Sequence, residues 1–404
     1  MADDDVIRKP DVYVFHQDPW TTGVISTHAR ELNGILDAPT LLLDTKDATD
    51  IPIRNTLPSL NGYGLDTDSI IRYDMHVVMH DLPNIINFIC PQTDPPSDVR
   101  TRIISFINYT VEKFKKVLQE SNVKGLVVLL PILGARMFLC EVCYSLRIPV
   151  ASINLSPFRK LKLIDDGSLT QTGSLASPAL WERIKRIKFA PKEEEYYENW
   201  RENFIADRST RGSNEDTPGG LKTDLPTNFI LLLGQSPGDA NQAIHQRRSI
   251  PYSPISVIHK LLLLFPDKEI VFKKHPEDTS NECERISALR SPNIIISEEN
   301  ANIHHFLPNA SHVVTWNSNA GVEALLYDKK IAVLGHAFYR NKEITFDAEN
   351  LDSLAGFASY EPNLDLVRQF LMALVCRILI PSTDYKRIGQ RMMDIMQNRL
   401  WIGA

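Results

Sequence analysis

The chain has 404 residues, 43% of them hydrophobic and 23% charged, with a formal net charge of -6. This length suits two domains, and the composition is that of a folded globular protein, which excludes a disordered chain. The negative net charge argues against nucleic-acid binding, because proteins that bind nucleic acids more often carry an excess of basic residues. No apolar run approaches the ~20 residues of a membrane span, and the acidic start Met1–Asp5 lacks the regions of a signal peptide. We therefore expect a cytoplasmic protein.

The first 175 residues alternate short apolar runs with amphipathic stretches. The runs are compact and rich in β-branched residues, so they predict buried strands. These strands are Val12–Phe15, Thr40–Leu43, Met75–Met79, Gly125–Leu130 and Pro149–Ile153. Amphipathic stretches such as Val99–Glu120 and Gly134–Ser145 predict helices between them, which makes residues 1–175 a Rossmann-like domain with a parallel sheet. Cys140 and Cys143 fall inside the second helix, where we expect buried thiols.

Residues 176–225 interrupt this alternation. They contain the basic run Trp181–Lys188, the acidic run Lys192–Glu195 and then a stretch rich in Ser, Gly and Asn, which predicts linker helices followed by a mobile loop. The basic run is either a solvated helix or a peripheral contact with anionic lipids at the inner face of the cytoplasmic membrane.

The alternation of strand and helix starts again after residue 225. The predicted strands are Phe229–Leu233, Glu269–Phe272, Asn293–Ile296, Val313–Thr315 and Ile331–Leu334, and the predicted helices are Ile255–Phe265, Asn319–Tyr327, Leu364–Leu379 and Tyr385–Arg399. Residues 226–362 thus form a second Rossmann-like domain, with C-terminal helices over 363–404. We expect an α/β fold in which the two domains face each other across a cleft and the ligand lies at the carboxyl ends of the strands.

Polar residues cluster where two of these strands end. The strand Phe229–Leu233 runs into Gln235 and Asp239, and this carboxylate can act as a nucleophile or base, or can cap the next helix. The following strand ends in Lys273 and His275, a pair that can bind a phosphate and protonate a leaving group.

A third cluster of polar and small residues, Ser318, Asn319, Gly321 and Glu323, follows the strand Val313–Thr315. The amides at the start of the following helix, with the small polar side chains beside them, form an anion site, and Glu323 can reach a ribose or a base. Ser318 and Glu323 also fit helix capping, which is compatible with phosphate binding.

The loop after the strand Ile331–Leu334 carries Tyr339 and Arg340, which either contact a sugar or pack and solvate the loop. His304 and His305 have no carboxylate or cysteine partners at metal spacing, so we interpret them as surface or capping histidines. We expect neither a cofactor nor a metal ion.

Taken in order, these segments resemble the bacterial β-Kdo transferases of capsule and O-antigen lipopolysaccharide assembly, in the capsule polysaccharide synthesis family. The resemblance covers residues 229–340, and its matched positions are Gln235 with Asp239, Lys273 with His275 and Pro276, Thr315 with Ser318, Gly321, Glu323, Ala324 and Leu325, and Gly335 with Phe338 and Tyr339. In the first half, Arg159 matches a family arginine, but Asn154 stands where the family usually has glutamate. The general base for the acceptor is therefore not identified, and Asp165 and Asp166 are candidates.

The resemblance implies a GT-B fold and retaining transfer of Kdo from CMP-Kdo to a hydroxyl of a bacterial surface glycan. It implies Asp239 as the nucleophile of a double displacement, with Gln235 beside it and His275 at the phosphate of the leaving CMP. For the CMP part of the donor it implies phosphate contacts from Ser318, Asn319 and the amide of Gly321, and a nucleoside contact from Glu323. For the Kdo part it implies pairing of Lys273 and Arg159 with the carboxylate and a sugar contact from Tyr339.

Three other functions stay open on the sequence alone. One is a transferase for another CMP-sugar, of the sialyltransferase type, and the second is an epimerase of the same fold that acts on a UDP-sugar. The third is a non-catalytic subunit that kept the fold and binds a glycan or a nucleotide, which the substitution at Asn154 makes possible.

Overall fold

A computed structural model describes residues 9–17, 23–44, 97–129, 134–166, 173–209, 225–235, 250–276, 278, 280–297 and 301–397. By its internal contacts the chain divides into two compact units, the first formed by residues 1–155, 162–168 and 380–404 and the second by residues 156–161 and 169–379. Within the described residues, each unit contains a sheet of six strands. The predicted strand Met75–Met79 and the predicted nucleophile Asp239 lie outside the described residues.

Strands and helices alternate along the described part of the first 166 residues. In chain order they are β1 (Asp11–Gln17), α1 (Val24–Leu32), β2 (Thr40–Asp44), α2 (Ser97–Glu120), β3 (Asn122–Leu129), α3 (Gly134–Ser145), β4 (Val150–Leu155) and β5 (Leu161–Asp165). The predicted strands that correspond to β1, β2, β3 and β4 are confirmed, as are the two predicted helices that correspond to α2 and α3.

The second half continues the alternation. Its elements are α4 (Pro178–Ile184), α5 (Pro191–Ala206), β6 (Phe229–Leu233), α6 (Pro254–Leu264), β7 (Ile270–Lys273), α7 (Glu282–Ser287), β8 (Ile294–Ser297), β9 (Ala310–Thr315), α8 (Ala320–Leu325), β10 (Lys330–Val333), β11 (Phe346–Asp347), α9 (Leu364–Met372), β12 (Ile380–Pro381) and α10 (Tyr385–Met396). Short 3₁₀ helices cover Ser174–Ala176, Ile303–His305 and Asp352–Ser359, and a π-helical stretch covers Ala373–Ile378. The five predicted strands of this half are confirmed.

The sheet of the first unit has the strand order β2-β1-β3-β4-β5-β12, and β1 to β4 run parallel while β5 runs antiparallel to β4. Because successive side chains of a strand point to opposite faces, a sheet covered on both faces needs apolar residues at consecutive positions. In β1, Val14 packs into the core that α2 and α3 cover, and Phe15 packs into the core that α1 and α10 cover. Cys140 and Cys143 are buried free thiols of the former core, as predicted.

The sheet of the second unit is parallel throughout, in the order β8-β7-β6-β9-β10-β11. Numbered along the chain from β6, this is the order 3-2-1-4-5-6 of a Rossmann fold. The direction in which strands are added reverses between β6 and β9. In sheets of this type that reversal leaves a crevice outside the carboxyl ends of the two strands, where ligands bind.

The predicted α/β fold with two Rossmann-like units is confirmed, but the limits of the units differ from the predicted ones. Helices α4 and α5, predicted as linkers, belong to the second unit, and α10 belongs to the first. Ile388 and Met392 of α10 pack in the core of the first sheet. An amphipathic pattern shows that a helix has a buried face, but not which of two cores receives it. In the described part of the chain, no helix combines the length and apolarity that crossing a bilayer requires.

Candidate functional site

The four polar segments singled out in the second half follow four neighbouring strands of one sheet. Gln235 comes after β6, Lys273 ends β7, Ser318 comes after β9 and Tyr339 comes after β10. These strands are adjacent in the order β7-β6-β9-β10 and run parallel. Their carboxyl ends therefore lie along one edge of the sheet, on both sides of the crevice between β6 and β9.

The ends of β6 and β7 approach each other closely at Gly234. Its amide donates a 2.8 Å hydrogen bond to the carbonyl oxygen of Lys273. A Cβ atom at position 234 would lie 3.0 Å from that oxygen and 3.2 Å from the amide nitrogen of His275, so any larger residue would require these backbone atoms to shift by a few tenths of an ångström. The next residue, Gln235, is buried, and its amide donates to the hydroxyl of Tyr252 at 3.0 Å. This close approach sets the two predicted catalytic residues Gln235 and His275 on neighbouring strand ends.

Lys273 is a buried cation at this edge. Its side chain lies on the opposite face of the sheet from Phe272, because side chains alternate along a strand, and it is only 6% exposed. The ammonium lies 5.8 Å from the centre of the Phe306 ring. Burial lowers the pKa of Lys273 to about 8, and the negative charge of Glu323 acts in the other direction. An incompletely neutralised cation in apolar surroundings is suited to bind an anion.

The turn between β9 and α8 is held by Ser318. Its amide donates to Thr315 Oγ1 at 3.3 Å, and its own Oγ accepts from the amide of Ala320 at 3.2 Å. Ser318 Oγ thus accepts a hydrogen bond at the start of α8, whereas the N-cap residue Asn319 makes no side-chain capping hydrogen bond. Ser318 and Asn319 are half-buried at the carboxyl edge, and a phosphate contact from either side chain stays a prediction.

Tyr339 connects the loop after β10 with the turn after β9. Its side chain is fully buried, and its hydroxyl donates a 2.7 Å hydrogen bond to the carbonyl oxygen of Ser318. A Cβ atom at Gly321 would lie 2.3 Å from this hydroxyl oxygen, so the absence of a side chain at Gly321 is what admits Tyr339. Burial raises the pKa of the phenol. These contacts favour the packing role of Tyr339 over a contact with a sugar.

Glu323 is buried as well, in the first turn of α8. One of its oxygens, Oε2, lies 3.5 Å from Nε2 of His304. The interpretation of His304 as a surface histidine is wrong, since this residue is only 3% exposed. Its neighbours Phe306 and Leu307 are fully buried, and that apolar flank was the signal in the sequence for a buried position. Within the described residues, no group of three His, Cys, Asp or Glu side chains is arranged as a metal site.

The candidate residues of the first half lie around β4 and β5. Arg159 is exposed in the turn between these strands, and its pairing with a donor carboxylate stays a prediction. Asn154 is fully buried and donates to Ser152 Oγ at 2.7 Å. Asp165, a candidate general base, is also fully buried and accepts from the amide of Asp166 at 2.9 Å. The base for the acceptor hydroxyl therefore stays unassigned.

Comparison with known proteins shows which family and which individual proteins this chain is similar to. Residues 192–385 match the family model described as "Capsule polysaccharide biosynthesis protein", which confirms the expected resemblance. Protein FixF of Sinorhizobium fredii is 28% identical over 153 residues, and the match covers 37% of each chain. Capsule polysaccharide export protein KpsS of Escherichia coli is 29% identical over 124 residues, which cover 29% of this chain and 31% of KpsS. The matches thus span about a third of the length of these curated relatives.

Among solved structures, the beta Kdo 2,4 transferase of Thermosulfurimonas dismutans KpsC has 17% sequence identity and a TM-score of 0.46. That similarity covers 69% of this chain and 93% of the solved chain.

Proposed function

We propose that this chain, whose residues 192–385 match the capsule polysaccharide biosynthesis family, is a glycosyltransferase that adds Kdo from CMP-Kdo to a bacterial surface glycan. The observation that carries the proposal is the arrangement of the second sheet. Four motif segments lie side by side at the carboxyl ends of β7, β6, β9 and β10, around the crevice where Rossmann-type sheets bind nucleotides.

The charges at this edge suit a donor with two anionic groups. CMP-Kdo carries a phosphodiester and a carboxylate, and the buried ammonium of Lys273 can pair with either. Ser318 and Asn319 are half-buried beside the start of α8, where they can donate to a phosphate. The carboxylate of Glu323 can accept hydrogen bonds from the hydroxyl groups of a ribose.

The proposed reaction proceeds with retention in two displacements. In the first, a carboxylate oxygen of Asp239 attacks the anomeric carbon of Kdo, and the bond from that carbon to the phosphate oxygen of CMP breaks. His275 either protonates the departing phosphate or donates a hydrogen bond to it. In the second, the acceptor hydroxyl attacks the same carbon, its proton passes to a base, and the ester breaks to restore the Asp239 carboxylate.

The test is intact-protein mass spectrometry after incubation with freshly generated CMP-Kdo and no acceptor. We expect a mass gain of one Kdo residue that maps to Asp239 and disappears in Asp239→Ala. The matched control is Asp267→Ala, because Asp267 is exposed in the turn before β7, at the opposite edge of the sheet.

The other outcomes separate the alternatives. Release of CMP without an adduct argues against an accumulating ester and points to hydrolysis or to another mechanism. Turnover of CMP-sialic acid in place of CMP-Kdo assigns another donor to the same site. Nucleotide binding without consumption of any donor contradicts the proposed activity and favours the non-catalytic alternative.

A further inference from the structure

A buried polar cluster lies beside Glu323 and has no role in the reaction proposed above. At its centre is the imidazole of His304, whose side chain has no exposed surface. The ring contacts the hydroxyl of Tyr327, the backbone carbonyl of Ser209 and the carboxylate of Glu323. All four residues belong to the second unit.

Two short hydrogen bonds determine the tautomer of His304. Nε2 lies 2.6 Å from the carbonyl oxygen of Ser209, and Nδ1 lies 2.6 Å from the hydroxyl oxygen of Tyr327. A carbonyl oxygen only accepts, so Nε2 carries the proton. Burial lowers the pKa of His304 and raises that of Tyr327 to about 12, so the ring is neutral and Nδ1 accepts from the phenol. The imidazole is thereby fixed in one tautomer and one orientation.

The carbonyl to which His304 donates is itself held in place. Asn302 Nδ2 donates to the carbonyl oxygen of Arg208 at 2.8 Å, one residue before Ser209. The amide of Ser209 donates to the carbonyl oxygen of Phe204 in α5 at 3.0 Å. The end of α5 is therefore a fixed support for the imidazole.

The proton on Nε2 faces a second acceptor. Nε2 lies 3.5 Å from Oε2 of Glu323, and the two side chains are 0% and 3% exposed. A contact of this length is weaker than a full hydrogen bond. In buried surroundings, however, an N–H group beside a carboxylate favours one orientation of that carboxylate. His304 thus connects α5 to the carboxylate on α8.

We propose that His304 is a positioning residue, which holds the carboxylate of Glu323 in the orientation that meets the nucleoside of the donor. This inference rests on the proposed function, because it takes Glu323 as the nucleoside contact. A purely structural His304, which only joins α5 to α8, would affect folding but would not act on nucleotide affinity through Glu323.

The test is a double-mutant cycle on CMP affinity, measured by isothermal titration calorimetry with the full chain. His304→Leu removes the N–H group, whereas His304→Gln keeps an amide N–H near the position of Nε2. We expect His304→Leu to weaken CMP binding about tenfold and His304→Gln to recover most of that loss. In a Glu323→Leu background, which has no acceptor for Nε2, the further effect of His304→Leu should be small, because both changes remove the same interaction.

Thermal unfolding of each variant shows that it is folded, and Tyr327→Phe serves as a second, milder variant should His304→Leu not fold. Tyr327→Phe removes the hydroxyl group that donates to Nδ1 of His304. This change should weaken CMP binding only when Glu323 is present. The inference would be overturned if the His304 or Tyr327 changes had equal effects with and without the Glu323 carboxylate. It would also be overturned if these changes left the CMP affinity unaltered, and in both cases the proposed function would stand. A native chain that binds no CMP would overturn both.

Discussion

Gly321 is the position where one added methyl group should disturb the site most. A Cβ atom there would lie 2.3 Å from the hydroxyl oxygen of Tyr339 and 2.8 Å from its Cζ atom. Because Tyr339 is fully buried, its ring has little room to retreat. In Gly321→Ala the phenol must shift and lose its 2.7 Å hydrogen bond to the carbonyl oxygen of Ser318.

Three contributions determine the sign of the effect on stability. Overpacking a buried site costs about 1–3 kcal/mol, and loss of a buried hydrogen bond costs about 1 kcal/mol more. Alanine is favoured over glycine inside a helix by about 1 kcal/mol, which offsets part of this cost. We therefore expect Gly321→Ala to lower the free energy of unfolding by about 1–3 kcal/mol, although the same change in an open helix would raise it.

Urea denaturation followed by tryptophan fluorescence measures this difference, and Gly356→Ala is the matched control. A Cβ atom at Gly356 would lie 3.1 Å from the Phe346 ring, a contact that a shift of a few tenths of an ångström relieves. The control should therefore change stability much less. If Gly321→Ala proved as stable as the native chain or more so, Tyr339 would not approach α8 as described, and the packing role assigned to Tyr339 would be refuted.

Three further predictions concern a pH response, a cation and a hydrogen bond. His312 packs with its ring centre 5.0 Å from that of Phe265, and burial lowers its pKa from 6.5 to about 4. Between these pH values the unfolded chain therefore binds more protons than the folded chain. The free energy of unfolding, measured by urea titration, should fall as the pH drops from about 6.5 to 4, and it should fall less in His312→Leu. Burial lowers the pKa of Lys273 to about 8, and its ammonium can pair with the phosphate or the carboxylate of the donor. The affinity for CMP-Kdo measured by calorimetry should therefore decline above pH 8, and Lys273→Met should remove both most of the binding and this decline. Trp316→Phe removes the 3.0 Å hydrogen bond from Nε1 to the carbonyl oxygen of Ile250, which should lower the free energy of unfolding by about 1 kcal/mol in urea.

The sequence predicts the strands and their polar ends well, because parallel strands buried on both faces are short, continuous apolar runs. Phe229–Leu233 is such a run, and the residues that follow it are polar, so the place of Gln235 could be read directly. The alternation of strand and helix likewise predicted a parallel sheet. Both features depend on local pattern, which one sequence contains, whereas the strand order was not predicted and is given by the structure.

Other features depend on contacts between distant parts of the chain, which a local pattern does not contain. His304 is buried because the end of α5, about 95 residues earlier, supplies the carbonyl that its Nε2 requires. Helix α10 returns to the first sheet although it follows α9 of the second unit. The packing role of Tyr339 is likewise favoured over a sugar contact because of the space that Gly321 leaves for its ring, which only the structure shows.

The two buried charges at the carboxyl edge favour a ligand-binding role for this edge over a role in stability. Lys273 and Glu323 are 6% and 2% exposed, and burying two charges costs more than burying apolar side chains of the same size unless the pair is very well satisfied. A domain selected for stability alone would carry apolar residues at these positions, as it does at the buried residues Val271 of β7 and Val322 of α8. The double replacement Lys273→Met with Glu323→Leu should therefore leave the free energy of unfolding unchanged or raise it, while CMP binding is lost. A loss of several kcal/mol of stability in that double variant would instead mean that the pair holds the fold together, and the charges would then no longer support a ligand site.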